Sequence, residues 1–456
     1  MTADDEAVGT LPKARALFDV GSCAPHIESG ARPMFRGRVD IVSGVLVEAT
    51  GIPAAMGELC RIQRHFGGSI DAEVVGFRGA STLLMPHGDI QGIAPNQEVT
   101  ALSRPFTIPV GDQLLGRMLD GFGKPLDGGA ALRSRVELPV RRDAPDPFTR
   151  PPIEERLQTG VRAIDGLATL GRGQRLGIFA GSGVGKSSLL GQVTRGTDAD
   201  VVVVALVGER GREVGPFVRE VLGEQRARKS VLVVSTSDRA PIERFLAPFV
   251  AVTAAEHFRD EGADVLLVMD SVTRFAAASR EIGLAAGEPP TVRGYPPSFF
   301  ATVPKLVERM GRTPRGSITG LLTVLLDGDD HNDPVADTLR GLLDGHMFLS
   351  REMAQSGHFP AVDVLSTLSR LMPALVDPRH KHAAQTVRTL LAAYKEGRDL
   401  VEIGAYRAGT NARLDQALAR KDAIDAFLRQ APDEVSSFEE TTELLARITA
   451  GLEVLA

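Results

Sequence analysis

The stretch Arg175-Leu-Gly-Ile-Phe-Ala-Gly-Ser-Gly-Val-Gly-Lys-Ser-Ser-Leu-Leu190 constrains this chain more than any other. It joins a short apolar run to a glycine loop and then to a helix start, which is the strand–loop–helix setting of a phosphate-binding P-loop. Gly181, Gly183 and Gly185, with Ser182 and Val184 between them, let backbone N–H groups turn inward around phosphate oxygens. The helix N-terminus adds the positive end of its dipole. Lys186 is placed to reach the β and γ phosphates and the Ser187 hydroxyl to ligate magnesium, and Ser188 extends the same binding stretch. The usual pattern opens on Gly where this chain has Ala180. On local sequence alone, a glycine-rich turn that only caps a helix stays open beside nucleotide binding.

Around the P-loop, strand and helix signals alternate. Residues 175–180, Val201–Val207, Val231–Val234, Val265–Met269 and Ile318–Leu326 are continuous apolar runs, with helical stretches over 186–195, 213–224 and 240–261. Continuous runs imply strands buried on both faces, hence a mostly parallel sheet between helix layers, with ligands at the carboxyl ends of the strands. Upstream, five short runs between Gly37 and Leu102, punctuated by Gly, Pro, Asn and Asp, predict a small closed six-stranded barrel. Downstream of Pro378 only helical periodicity remains, over Lys381–Lys395, Ala412–Gln430 and Ser437–Leu455, with breaks expected at Gly397, 404–409 and Pro432. The expected division is a flexible N-terminal segment (1–33), a β-barrel (34–103), an α/β P-loop domain (104–377) and a helical C-terminal domain (378–456).

Composition narrows the function. A net charge of −6 gives no global basic field for nucleic acid. Two distant cysteines, Cys23 and Cys60, fit a reducing compartment without a disulfide framework. The acidic start Met-Thr-Ala-Asp-Asp-Glu is unlike a secretion signal, and no apolar run approaches the roughly 18 residues of a membrane span.

Phosphoryl transfer to water needs a metal site, a group that orients or deprotonates water, and positive charge for the transition state. Asp270, at the tip of Val265-Leu-Leu-Val-Met-Asp270, stands where a carboxylate holds magnesium through water, or else caps the next helix. Glu209 follows Val201–Val207 at another strand tip and would polarise water with Arg210 close to the phosphate; a solvated helix-start carboxylate is the equal alternative. Arg370 by itself reads as a surface Arg on a helix. Lys305, Glu308 and Arg309 read as a solvated helix face, His380 and His382 lack a third metal ligand, and Asp327–Asp333 lacks the glutamate of a calcium loop.

Together these motifs resemble the rotary and secretion ATPases related to the ATP synthase β subunit. Gly208-Glu-Arg210 is similar to that family's catalytic-glutamate motif. Gly316-Ser-Ile-Thr319, Asp327-Gly-Asp-Asp330, Leu343-Asp-Gly-His346, His358-Phe-Pro-Ala-Val-Asp363 and Tyr295-Pro-Pro-Ser-Phe-Phe300 resemble the type III protein-export ATPases. That subgroup commonly carries Ala at the position of Ala180. Residues 402–411 look more like the flagellum-specific ATPase than its injectisome relative. The resemblance spans roughly residues 35 to 455.

The resemblance implies a RecA-like P-loop core, ATP and Mg²⁺ as ligands, Glu209 as the catalytic carboxylate, Arg370 as an arginine finger and Phe359 stacked on adenine. In the ATP synthase the glutamate and the trans-acting arginine lie on different subunits; here one chain carries both, which implies a homohexamer. The implied partners are a stator-like regulatory subunit, export-gate membrane proteins, and export chaperones with their substrates, at the cytoplasmic face of the bacterial inner membrane. Three alternatives weigh less. An ATP synthase β subunit would carry an acidic torque segment where this chain has Arg407–Arg413. A Rho-like RNA translocase would need an aromatic–basic cluster within 36–102. A non-hydrolysing regulatory subunit would tolerate loss of Glu209.

Overall fold

The computed structural model describes residues 35–452 apart from 327, 329 and 331; the expected flexible segment 1–33 lies outside the described residues. Six antiparallel strands close into a barrel: β1 (Arg36–Ser43), β2 (Leu46–Thr50), β3 (Glu58–Gln63), β4 (Ser69–Arg78), β5 (Ser81–Pro86) and β6 (Glu98–Pro105), in the order β1-β2-β5-β4-β3-β6. Its inward residues, among them Val47, Cys60, Ile62, Ala72, Leu84 and Val99, form a core of their own. The sixth strand, absent from the sequence reading, is β3. Its Glu58, Arg61 and Gln63 hide a short apolar set in a polar-looking segment.

The central sheet is built on β7 (Met118–Leu119), β8 (Arg175–Ala180), β9 (Val201–Glu209), β10 (Ser230–Thr236), β11 (Asp264–Asp270), β12 (Ser317–Leu325), β13 (Gly345–Leu349) and β14 (Val362–Ser369). Their order is β14-β13-β8-β12-β11-β9-β10-β7. All neighbours on this path are parallel except β14, which runs antiparallel to β13. β9 is VVVVALVGE with eight of nine residues buried, as a strand covered on both faces requires. The helices α1 (Lys186–Gly196), α2 (Pro241–Asp260), α3 (Val272–Ala285) and α4 (Pro297–Val307) flank the sheet, with α2, α3 and α4 on one face and α1 on the other. The helix expected over 213–224 is two pieces, an α-helical turn Gly211–Pro216 and a wider turn Phe217–Leu222. Pro216 has no N–H to continue the ladder.

The C-terminal helices α5 (Pro378–Glu402), α6 (Ala412–Leu428) and α7 (Phe438–Thr449) pack on the α1 side of the sheet. Gly397 does not break α5. It lies buried inside the helix, and a Cβ there would sit 2.3 Å from a Leu414 methyl, so the glycine is what lets α6 approach.

Arg309 also departs from expectation. It is not on a solvated face but 1% exposed, with two hydrogen bonds to Glu256 (2.9 and 2.7 Å) and one each to Thr253 Oγ1 (2.8 Å) and the Val140 carbonyl (2.7 Å). Glu308 pairs with Arg175 at 2.7 Å while its side chain stays 45% exposed, and Lys305 faces water, so the solvated-face reading fails for Arg309 alone. Buried charge survives only when paired and hydrogen-bonded. This cluster pins the segment connecting β6 to β8, at Val140, to α2.

Candidate nucleotide site

β8 ends at Ala180, fully buried and in ordinary strand conformation, so its methyl needs no glycine. Val184 anchors the following loop with its side chain in the core, while Ser182 and Gly183 face solvent. Gly183 and Gly185 adopt φ of 78° and 89°, the left-handed region that spares only glycine a steric cost. α1 then starts at Lys186 with Ser187 and Ser188 exposed at its first turn, the geometry of an anion-receiving helix N-terminus.

Parallel pairing brings the tips of β9 and β11 to the same edge. Lys186 Nζ bonds Asp270 Oδ1 and lies 3.9 Å from Glu209 Oε1. Asp270 is 2% exposed, and Thr323 Oγ1 donates to the same Oδ1 at 2.7 Å, fixing the carboxylate. The helix cap open to Asp270 in the sequence belongs to Ser271, whose side chain accepts from Arg274 N. Ser187, Glu209 and Asp270 border one cavity of 330 Å³. Ser187 Oγ and the oriented Asp270 carboxylate are a hard-oxygen pair that fits magnesium.

Glu209 is the electrostatically unusual member. Its Oε1 is buried with no hydrogen-bond donor. Burial, with the Asp270 charge beside it, pushes its pKa from an ordinary 4.5 to about 7, against the pull of Lys186 and Arg274. A carboxyl poised near neutrality at a cavity wall is suited to taking or orienting a proton of water.

Two further contributors escaped the sequence reading. Thr323 is a hydroxyl inside an apolar strand, a signal legible as a polar residue at a buried position. Arg274 stands four residues after Asp270, and its Cβ would lie 2.8 Å from a Cβ on Gly208, so Gly208 (φ 68°) opens the approach of this cation to Glu209. Arg210, by contrast, turns outward: its side chain is 64% exposed and pairs with Glu213 at 3.4 Å.

Phe359 is not a core residue. It is 40% exposed, and its ring lies 3.2 Å from where a Gly185 Cβ would be, flanking the P-loop. Arg370 is not on a helix: it follows β14 directly and is exposed, with its N–H bonded to the Asp344 carbonyl. Asp344 also receives Arg175 N at the start of β8. The P-loop lies at the other end of this six-residue strand, about 16 Å away at roughly 3.3 Å per residue. Arg370 and Lys186 of one chain therefore occupy opposite edges of the sheet.

Comparison with known proteins agrees with this architecture. Residues 160–369 match the nucleotide-binding domain of the ATP synthase alpha/beta family, 40–103 its β-barrel domain, and 376–447 the T3SS EscN ATPase C-terminal domain. The type 3 secretion system ATPase of Xanthomonas euvesicatoria is 50% identical over 414 residues, covering 91% of this chain and 94% of that protein. The flagellum-specific ATP synthase of Pseudomonas aeruginosa is 48% identical over 426 residues, covering 92% and 94%. The assembled ATPase EscN of enteropathogenic E. coli superposes with a TM-score of 0.87 at 43% identity, covering 91% of this chain and all of that one. In complex with its central stalk EscO it superposes with a TM-score of 0.84. The chain belongs to the ATP synthase alpha/beta family, in its type III secretion branch, and is an ATP-hydrolysing enzyme.

Proposed function

We propose that this chain is the Mg-dependent ATPase that energises protein export by a flagellar type III apparatus, working as a homohexamer. The observation that carries the reading is the division of the site. Lys186, Ser187, Glu209 and Asp270 gather at one sheet edge, while Arg370 stands at the opposite edge of the same chain.

In this reading the P-loop amides of 181–188 and Lys186 hold the β and γ phosphates, Phe359 stacks on adenine, and Ser187 and Asp270 hold magnesium. The metal's charge would offset that of the phosphates. Glu209 accepts or orients a proton of the attacking water. Arg370 of the adjacent subunit stabilises the transition state, a role worth roughly 10³ to 10⁵ in rate. Arg210, exposed in the isolated chain, would reach phosphate only on rearrangement. Partners are a stator-like subunit, export-gate membrane proteins, and chaperones with their export substrates, at the cytoplasmic face of the inner membrane; no nucleic acid takes part. No described helix is long and apolar enough to cross a membrane, which suits a peripheral position.

Mixing Arg370→Ala chains with Glu209→Gln chains tests the assembly. Each alone should be nearly inactive, and the mixture should recover activity where an intact Glu209 meets an intact Arg370. No recovery under conditions that exchange subunits would refute it. The injectisome is the second reading, favoured by the 50% identity to the Xanthomonas protein. Deleting the gene should abolish motility and filament export; loss of effector secretion with motility intact would select the injectisome instead.

A further inference from the structure

A second cavity, of 540 Å³, lies between the barrel and the connecting segment and shares no residue with the nucleotide site. Its wall is basic. Arg61 and Arg64 come from the barrel, Arg104 from the end of β6, and Lys124 from the turn after β7. Arg61 is neutralised by Asp71 in a two-point pair (2.7 and 3.3 Å), and Asp89, the other acid on the wall, accepts from Gln91 N. The remaining three cations outnumber the acids left to them, Asp89 on the wall and Glu137 beside Arg104. Arg104 has Glu137 only at 3.9 Å, Lys124 lies 5.9 Å above the Phe122 ring, and Arg64 spends one nitrogen on the Gly67 carbonyl.

Two residues of this wall, Arg64 and His87, each carry a buried nitrogen without a hydrogen-bond partner, Arg64 Nε and His87 Nε2. Buried polar groups are nearly always hydrogen-bonded, so two unsatisfied nitrogens on residues lining one cavity are groups that a small side-chain shift would offer to an occupant. Burial drives the His87 pKa down to about 4, leaving the ring neutral at pH 7, with Nε2 a donor in one tautomer and an acceptor in the other. That ring stacks on Phe122 (4.7 Å) and meets the edge of Phe106 (5.1 Å). Phe122 is buried beneath that ring, so it offers little platform for a nucleobase. The groups left are mainly donors and cations, with Asp89 the one carboxylate of the wall not paired to a cation.

We propose that this cavity is an anion site for a small phosphate-bearing molecule without a base, held by Arg64, Arg104, Lys124 and His87. The volume exceeds a single phosphate and lies within the range of small-molecule pockets. Arginine forks and a lysine point charge are the groups that bind phosphate oxygens best. Because the wall joins β-barrel residues to the segment that leads into the ATPase domain, the occupant would clamp the two together.

The test uses the full chain with its P-loop saturated by Mg-ADP and inorganic pyrophosphate as the probe, followed by titration calorimetry. One saturable equivalent per chain is expected. A paired Arg104→Ala, Lys124→Ala variant should weaken it at least tenfold while leaving ATP turnover unchanged, since neither side chain belongs to the nucleotide site. Both residues are substantially exposed, and circular dichroism would check the fold. A single Lys124→Gln variant, expected to weaken binding less, guards against misfolding of the pair. The ring nitrogen resonance of His87 should shift with pyrophosphate in the parent chain. No heat after ADP saturation, or binding unaffected by the double variant, would overturn the proposal. So would retention on phosphatidylglycerol vesicles without pyrophosphate binding, which would make the wall a membrane contact.

Discussion

Replacing Glu209 by Gln should stabilise the nucleotide-free protein at alkaline pH while abolishing ATP turnover, and the stabilisation should vanish in acid. The reasoning runs through proton linkage. Glu209 titrates at about 7 in the folded chain against an ordinary 4.5. A carboxyl whose pKa is raised by folding carries no penalty below its unfolded pKa. The penalty grows as pH rises from 4.5 to about 7 and is complete above that. At about 1.36 kcal/mol per pH unit, it reaches about 3 kcal/mol, with the side chain only 18% exposed. Glutamine keeps the shape and cannot ionise, so it escapes the penalty. Urea unfolding of both chains, followed by a probe in the nucleotide-binding domain, would be compared at pH 5 and pH 8 without nucleotide or metal. Any constant cost of placing an amide beside Lys186 cancels in that difference. The variant should gain on the parent by about 2–3 kcal/mol between the two pH values. A difference that stays flat, or runs the other way, would show that burial and Asp270 do not hold Glu209 protonated. The proton-accepting role assigned to it would then lose its physical basis.

Three further outcomes are expected. Thr323→Val removes the 2.7 Å hydrogen bond that fixes Asp270; a bond to a charged group is worth about 1.5–3 kcal/mol, so kcat/KM for Mg-ATP should fall ten- to hundredfold, with Thr323→Ser restoring most of it in a steady-state assay. Arg309→Met leaves the buried Glu256 with only Arg142, at 3.3 Å; breaking a buried pair from one side costs about 3–5 kcal/mol, readable as a lowered urea midpoint. Gly397→Ala drives a methyl against Leu414 and should cost about 1–3 kcal/mol; adding Leu414→Ala should recover part of that loss, because the two changes share one space.

What could be read in advance follows from how far apart in sequence the interacting atoms lie. The P-loop was legible because Gly183, Gly185, Lys186 and Ser187 act within a few residues of one another. Glu209 and Asp270 were legible as strand tips, because parallel strands deliver their carboxyl ends to one edge whatever their spacing. Thr323 and Arg274 act on those same carboxylates but needed the strand order β12-β11-β9 to be known first. β13 and β14 escaped because Gly345–Leu349 is short and Val362–Ser369 alternates polar with apolar residues, as an edge strand exposed on one side does. Arg309 reads like any surface arginine in one dimension; only its convergence with Glu256, Thr253 and Val140 makes it core. The basic cavity was hidden for the same reason, since Arg61 and Lys124 are far apart until the barrel and the connecting segment meet.

Arg370 marks the point where even a complete single chain stops explaining itself. Its position after β14 is set by pairing with β13, and that pairing holds it at the wrong edge of the sheet for the P-loop it shares a chain with. No side-chain rotation spans about 16 Å of strand, so a catalytic use for Arg370 requires a second copy whose P-loop edge faces this one. If instead Arg370 served only its own fold, Arg370→Ala would lower stability and leave the turnover of assembled enzyme intact. If it completes a neighbour's site, stability should hold and turnover should fall by the factor of an arginine finger, roughly 10³ or more. The two measurements on one variant separate these cases without any structure of the assembly.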